Sequence, residues 1–307
     1  MSNRRRIIFD MDGVITSEEG YWRAAACALM EFAEVEAPAD PWSLELDRVA
    51  IGLAKQRLIN TNWDLCHIAA LALLIGDELP EKVELGALVK IALAAAPEHS
   101  GYELIEKLAE MAGGERFQRN GPLWTWLFDR FQEWFNGLAG RRGIIEDEPL
   151  ILPPEKIKQT LEALKKQDWE LGVATGRTSA ELLPTLERHG MLGLFDHKAL
   201  VTHDQVAQAE KELGGGHHLS KPHPFPFLRS LFPDKGVHEL TVAPWPKAEG
   251  EVIIVGDTAG DMRGAHALGV RAVAVLTGPA GAAGEAALRA AGATDVVQDI
   301  TQLPALL

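Results

Sequence analysis

Arg6-Ile7-Ile8-Phe9-Asp10-Met11-Asp12-Gly13 begins as an apolar run and ends abruptly on two carboxylates and a glycine. Four residues of that kind read as a short buried strand, and the acid-acid-glycine that follows reads as the loop to which the strand delivers them. From about Ser17 to about Gly140 no β-branched alternating run follows. Apolar residues recur at helical spacing instead, as in Leu65, Ile68, Ala69, Ala72 and Leu73, and again in Leu127, Phe131, Trp134 and Phe135. This block is predicted to be all helix.

After Pro153-Pro154 the pattern changes. A helix to about Gln167 precedes a strand at Leu171–Ala174, a helix to about Arg188 precedes a short strand near Ala199–Val201, and a strand at Val252–Val255 precedes a helix through Ala267. Further strands are expected at Arg271–Val275 and near Asp295–Val297. Strands alternating with helices call for right-handed crossovers and a parallel sheet covered on both faces. The expected fold class is therefore α/β: a doubly wound, Rossmann-like parallel sheet formed by residues 1–17 and 150–307, with an all-helical domain, 18–149, inserted after the first strand. Gly214–His218 and the Gly/Ala-rich Gly278–Gly284 read as loops, because neither has a phosphate-loop spacing in a strand-to-helix setting.

Ligands of such sheets bind beyond the carboxyl ends of the strands. The residues found there are Asp10 and Asp12 after the first strand, Thr175-Gly176-Arg177 after the second, and Gly256-Asp257 with Asp261 after the Val252–Val255 strand, with Lys221-Pro222 in the connection between. Gathered carboxylates raise one another's pKa unless a cation sits among them, and hard oxygen donors favour Mg²⁺. A lysine and a hydroxyl beside them suit a phosphoryl group.

On these residues the chain resembles the haloacid dehalogenase-like superfamily, in its phosphoglycolate phosphatase-like branch. Phe9–Thr16 is similar to that family's first motif, Val173–Arg177 to its second, Lys221-Pro222 to its third and Val255–Asp261 to its fourth, in the family's order. The resemblance covers the α/β part, and the helical block is placed like that family's cap. It implies a magnesium-dependent phosphatase of small phosphomonoesters such as phosphoglycolate, sugar phosphates or nucleotides. Asp10 would become an aspartyl phosphate, and Asp12 would protonate the leaving oxygen and then deprotonate water. Asp10, the backbone carbonyl of Asp12, Asp257 and Asp261 would hold Mg²⁺. Thr175, Gly176, Arg177 and Lys221 would bind the phosphate, with Lys221 also keeping Asp10 ionised. A phosphomutase of the same superfamily and a non-catalytic binding protein on the same fold are the alternatives.

Each residue also has a plainer reading. Asp12 could cap a turn, Asp261 could be the first-turn acid of the helix starting near Ala259, and Arg177 could pair with a surface acid such as Glu181. Thr16 could support the first motif. An Asp at position 12 favours phosphate chemistry over dehalogenation. Lys55, a conceivable imine-forming lysine, is expected on a solvent-exposed helix. Trp42, Trp63, Trp124, Trp126 and Trp134 are expected to be packing residues, with Tyr21 and Trp22 as candidates for substrate contact.

Composition limits the partners. The 307 residues carry a formal charge of −14, which disfavours nucleic acid and anionic membrane. Arg4–Arg6 is followed by a strand rather than a long apolar segment, so a soluble cytoplasmic protein is expected. Cys27 and Cys66 lack a CxxC spacing and read as core residues, and His217, His218 and His223 in a Gly-rich loop give no reason to converge on zinc.

Overall fold

The computed structural model describes residues 4–59, 61–76, 82–137, 142–214 and 216–307. The chain divides into two compact units, one of Met1–Ser17 with Leu150–Leu307 and one of Glu18–Pro149.

The first unit is built on six parallel strands: β1 (Arg5–Phe9), β2 (Trp169–Ala174), β3 (Leu200–Val201), β4 (Glu251–Gly256), β5 (Arg271–Val275) and β6 (Asp295–Val297), in the spatial order β3-β2-β1-β4-β5-β6. β1 is central, paired with β2 on one side and β4 on the other, and so its sequence is apolar without alternation. Its side chains still alternate between faces. Ile7 and Phe9 pack with Ile157, Leu161 and Leu164 of the helix Pro154–Lys166 and with Leu182 and Leu186 of the helix Ser179–Arg188. Ile8 packs on the other face with Phe227, Met262 and Ala265. The fold is a doubly wound α/β sheet.

The chain runs outward from β1 through β2 to β3, then crosses back to β4 and runs outward the other way. The sheet therefore reverses direction between β1 and β4, and the register pairing Phe9 with Val255 carries Asp10 and Gly256-Asp257 off the sheet side by side. The expected strands are present within two residues at either end. Three helices of the β3–β4 connection, His203–Glu212, Phe225–Leu231 and Val237–Thr241, were not legible beforehand. They are short, and their apolar residues form a small satellite core of their own, including Val206, Phe225, Leu228 and Leu240. Gly278–Gly284 ends in a 3₁₀ turn, Gly281–Gly284, that leads into a helix, Glu285–Ala290. Gly140, where the helical block was expected to end, and Gly215 lie outside the described residues.

The second unit is helical, with Glu19–Phe32, Arg48–Gln56, Asn62–Ile75, Leu85–Ala95, Gly101–Ala112 and Pro122–Asn136 as its main elements. Asn62–Ile75 is buried along most of its length, which is why its sequence is apolar all round. Thr61 caps its start by accepting from the amide of Asp64 at 3.0 Å. Tyr21 and Trp22 are core residues, each 3% exposed, because the whole stretch Gly20–Leu29 of their helix is buried. Tyr21 stacks on Phe135 at 4.1 Å and on Phe131 at 5.7 Å, so the substrate contacts expected of them are replaced by packing. Trp63 and Trp134 are buried too, whereas Trp126 is exposed. Lys55 is 5% exposed, with Nζ 2.7 Å from Glu18 Oε1, which corrects its expected place on a solvent-facing helix. The cost of burying the ammonium is offset by a partner that is equally buried. Cys27 and Cys66 are fully buried. Among the described residues no helix is long and apolar enough to cross a membrane.

Candidate active site

β1 ends and the chain turns at once. The amide of Asp10 still donates to Val255 O at 2.8 Å, continuing the ladder, and the amides of Val14, Ile15 and Thr16 then all point back to Met11 O. Gly13, at φ +76°, makes this loop possible, since a Cβ there would lie 2.2 Å from Asp257 Oδ2. Gly278, just past β5, stands equally close: its Cβ would lie 2.1 Å from the same oxygen. Thr277 fixes that second approach by donating its hydroxyl to Gly13 O at 2.5 Å.

Asp10, Asp257 and Asp261 each offer a carboxylate oxygen, and these atoms lie within 4.8 Å of one another. All three residues are buried. Lys221 Nζ bridges two of them, 2.8 Å from Asp10 Oδ2 and 2.7 Å from Asp261 Oδ1. Burial, with Asp261 and Asp12 adding to it and Lys221 opposing it, raises Asp10 from 3.8 to about 7. Burial alone would discharge Lys221, but Asp10 and Asp261 hold it above the ordinary lysine range. Three buried carboxylates around one ammonium are short of positive charge, and two glycines leave room beside Asp257 where any side chain would intrude. Hard oxygen donors in such a recess fit a magnesium-sized cation.

Asp261 stands both at a helix start and beside Lys221. It begins the helix Ala259–Leu268, its Oδ2 accepting from Thr258 N at 3.2 Å and from Thr258 Oγ at 2.6 Å, while its Oδ1 faces Lys221. Thr175 is buried at the end of β2, and Gly176 is exposed with open space where a Cβ would be. Those two positions can present a hydroxyl and an amide to a ligand.

Arg177 and Asp12 differ from the expected pattern. Arg177 is no surface residue: it is 1% exposed. Its Nε lies 3.0 and 3.2 Å from the two oxygens of Asp12, and its Nη2 lies 2.5 Å from Asp12 Oδ1. Thr16 donates its hydroxyl to the same Oδ1 at 2.9 Å. The Asp12 side chain thus stands apart from the acid trio, held by two residues whose joint role the sequence did not disclose. Glu181, expected as a surface acid, is buried and accepts from Thr178 N at 2.9 Å; neither that cap nor the long reach from Arg177 to Asp12 was legible in the sequence. Thr277 and Gly278 were missed as well, although the rule of looking past each strand end, applied to β5, would have found them.

His217, His218, His223 and His238 line a separate cavity of about 280 Å³. Among the described residues only the Asp10, Asp257 and Asp261 set brings three ligand atoms within 4.8 Å.

Comparison with known proteins covers part of this site. The family model for haloacid dehalogenase-like hydrolases matches residues 141–275. The phosphoglycolate phosphatase (plasmid) of Cupriavidus necator is 32% identical over 151 residues, covering 49% of this chain, which spans about half, 54%, of that curated relative. Among solved structures, a Northeast Structural Genomics Consortium target superposes with a TM-score of 0.67 at 23% identity, covering 98% of both chains. A predicted phosphatase from Clostridium acetobutylicum gives 0.52 at 14%, covering 99% of this chain and 98% of its own. A hydrolase from Pseudomonas syringae gives 0.50 at 17%, with the same coverage. These likenesses establish a shared fold.

Proposed function

We propose, from the family-model match over residues 141–275 and the partial likeness to a phosphoglycolate phosphatase, that the chain is a haloacid dehalogenase-like hydrolase, a magnesium-dependent phosphatase of small phosphomonoesters acting through an aspartyl phosphate on Asp10. The observation that carries this reading is the buried trio Asp10, Asp257 and Asp261, bridged by Lys221 at the point where the sheet reverses direction. Such a recess attracts a divalent cation and then a phosphate dianion, and few other ligands compensate its charge.

Asp10 and Asp257, with Asp261 beside them and the carbonyl of Asp12, would hold Mg²⁺, which when bound supplies positive charge that screens the phosphoryl dianion and keeps Asp10 ionised. Asp10 Oδ attacks phosphorus. Lys221, already bonded to the nucleophile's second oxygen, neutralises charge on the phosphoryl oxygens, and Thr175 and the Gly176 amide donate to them. Asp12 returns a proton to the leaving alcohol. Water then attacks the aspartyl phosphate and Asp12 takes its proton. The helical unit, Glu18–Pro149, is proposed as the cap, the part that selects the alcohol. The similarity to a phosphoglycolate phosphatase makes small phosphorylated acids and sugars the first substrates to try.

The test is phosphate release from a panel of such esters with Mg²⁺, after EDTA, and with EDTA followed by excess Mg²⁺. Release that is lost on chelation and restored by the metal is expected. A phosphorylated protein that isomerises a sugar phosphate without releasing phosphate would point to a mutase, and Mg²⁺ binding without turnover to a binding protein.

A further inference from the structure

Two glycines from loops far apart in the sequence abut one oxygen of the acid trio. A Cβ on Gly13 or on Gly278 would meet Asp257 Oδ2 first. The sheet order explains why: β4 lies between β1 and β5, so Asp257 leaves β4 with the loop after β1 on one side and the loop after β5 on the other. Gly13 has a second reason to be glycine, its φ of +76°. Gly278 has none, because its backbone lies outside the left-handed region. What excludes a side chain at position 278 is the carboxylate of Asp257.

Both loops are tied in place. The amide of Gly13 donates to Thr16 O at 2.8 Å, and its carbonyl accepts from Thr277 Oγ at 2.5 Å. Leu276 N donates to Val297 O at 3.0 Å, continuing the ladder past the end of β5, and Gly278 O accepts from Gly281 N at 3.0 Å. One threonine hydroxyl thus sets the separation of the two loops that flank Asp257.

From this geometry we infer that Thr277 and Gly278 are positioning residues of the cation site, fixing the Asp257 carboxylate so that the site prefers Mg²⁺ to Ca²⁺, an inference that rests on the magnesium-dependent reading and deepens it. Mg²⁺ demands near-ideal octahedral geometry and short bonds to oxygen, whereas Ca²⁺ accepts a larger and looser shell. A carboxylate flanked by backbone on both sides cannot swing out to follow the larger ion; one freed from that slot can. In Gly278→Ala the atoms that must yield belong to the Asp257 side chain and not to backbone, so the fold accommodates the methyl group by turning the carboxylate aside.

Isothermal titration of the full chain with Mg²⁺ alone and with Ca²⁺ alone, no ester present, reads the site without turnover. In Gly278→Ala the affinity for Mg²⁺ is expected to fall by about 10- to 100-fold and that for Ca²⁺ by less than about threefold, so that the preference for Mg²⁺ disappears. Thr277→Val removes the hydroxyl at nearly constant shape and shows the same split at about fivefold. Thr277→Ser keeps the hydroxyl and restores the parent ratio, and the two threonine variants decide the matter if Gly278→Ala does not fold. A loop that serves the fold alone would lower the denaturant midpoint and weaken both ions alike. That result, unchanged affinity for both ions, or a parent chain that binds Ca²⁺ as tightly as Mg²⁺ would overturn the inference. A parent that shows the Mg²⁺ preference and its loss in the variants, yet releases no phosphate from any ester, would overturn the phosphatase reading and uphold this one; a parent that binds no Mg²⁺ would overturn both.

Discussion

Both units bury charge, and they do so in opposite ways. In the helical unit Asp64 is 3% exposed and fully matched: Arg119 Nε lies 2.9 and 3.1 Å from its two oxygens, and Trp124 Nε1 donates at 2.9 Å. Burial would raise its pKa, but Arg119 and the hydrogen bonds from Trp124 and Thr61 outweigh it and hold Asp64 below the usual carboxylate range. Glu18 and Lys55 make a second one-to-one pair. In the α/β unit four acids, Asp10, Asp12, Asp257 and Asp261, gather beside two cations, Lys221 and Arg177. There the balance of effects raises Asp10 to about 7. Charge in the helical unit is matched one to one, whereas the acids gathered at the strand ends of the α/β unit outnumber the cations beside them.

The comparison breaks most directly at Asp10. In the proposed mechanism Asp10→Asn would close the covalent route, and activity is expected to fall by roughly 10⁴-fold or more, while the melting temperature holds or rises because one of the crowded carboxylates has gone. A clear drop in melting temperature would mean that Asp10 is part of a structural ion pair like those of the helical unit.

Asp64→Asn is the converse experiment. It leaves Arg119 buried without its counter-charge and should cost about 3–5 kcal/mol, read as a shift in denaturant midpoint with an unchanged slope, and any folded fraction should keep its turnover of 4-nitrophenyl phosphate. If stability were unaffected and activity lost, the helical unit's matched charges would belong to the chemistry after all.

How much of this contrast could be read beforehand follows from the range of the interactions. Strand ends are local: Phe9-Asp10 and Val255-Gly256-Asp257 mark their own turns, and a parallel sheet then dictates that they meet. The parallel sheet and the three acids Asp10, Asp257 and Asp261 at its strand ends were legible for that reason. Arg177 with Asp12 spans 165 residues, and Asp64 with Arg119 spans 55. No periodicity encodes such pairs, because the partner is chosen by where two backbones pass. Lys55 was misplaced because its partner Glu18 stands 37 residues away, and Tyr21 and Trp22 for a related reason. In a helix buried along nearly a full stretch, as Gly20–Leu29 is, the polar face that normally reveals orientation is missing.

His67 sharpens the comparison through pH. It is fully buried beside Asp64, and burial, outweighing the attraction of that carboxylate, lowers it from 6.5 to about 4. Below pH 6.5 the unfolded chain takes up a proton that the folded one refuses. The stability contributed by the neutral ring is therefore complete above pH 6.5, declines as pH falls towards 4, and is lost below it. The full loss is about 3 kcal/mol, seen in urea midpoints across that window, and His67→Leu should flatten the curve there. A parent curve already flat between pH 6.5 and 4 would place His67 in contact with water.

The smallest effect tests whether the α/β unit keeps structure and chemistry apart at all. Thr258 is the N-cap of the helix Ala259–Leu268, and its hydroxyl both accepts from the Asp261 amide at 3.2 Å and donates to Asp261 Oδ2 at 2.6 Å. Thr258→Ala should cost about 1 kcal/mol as a lost cap. The same hydroxyl fixes the carboxylate that faces Lys221, so the apparent affinity for Mg²⁺, titrated by turnover and by thermal shift, should weaken by about fivefold as well. Thr258→Ser, which retains the hydroxyl, should restore both. If stability fell while metal affinity stayed constant, Asp261 would be acting there only as a helix cap, and the excess negative charge would narrow to Asp10 and Asp257.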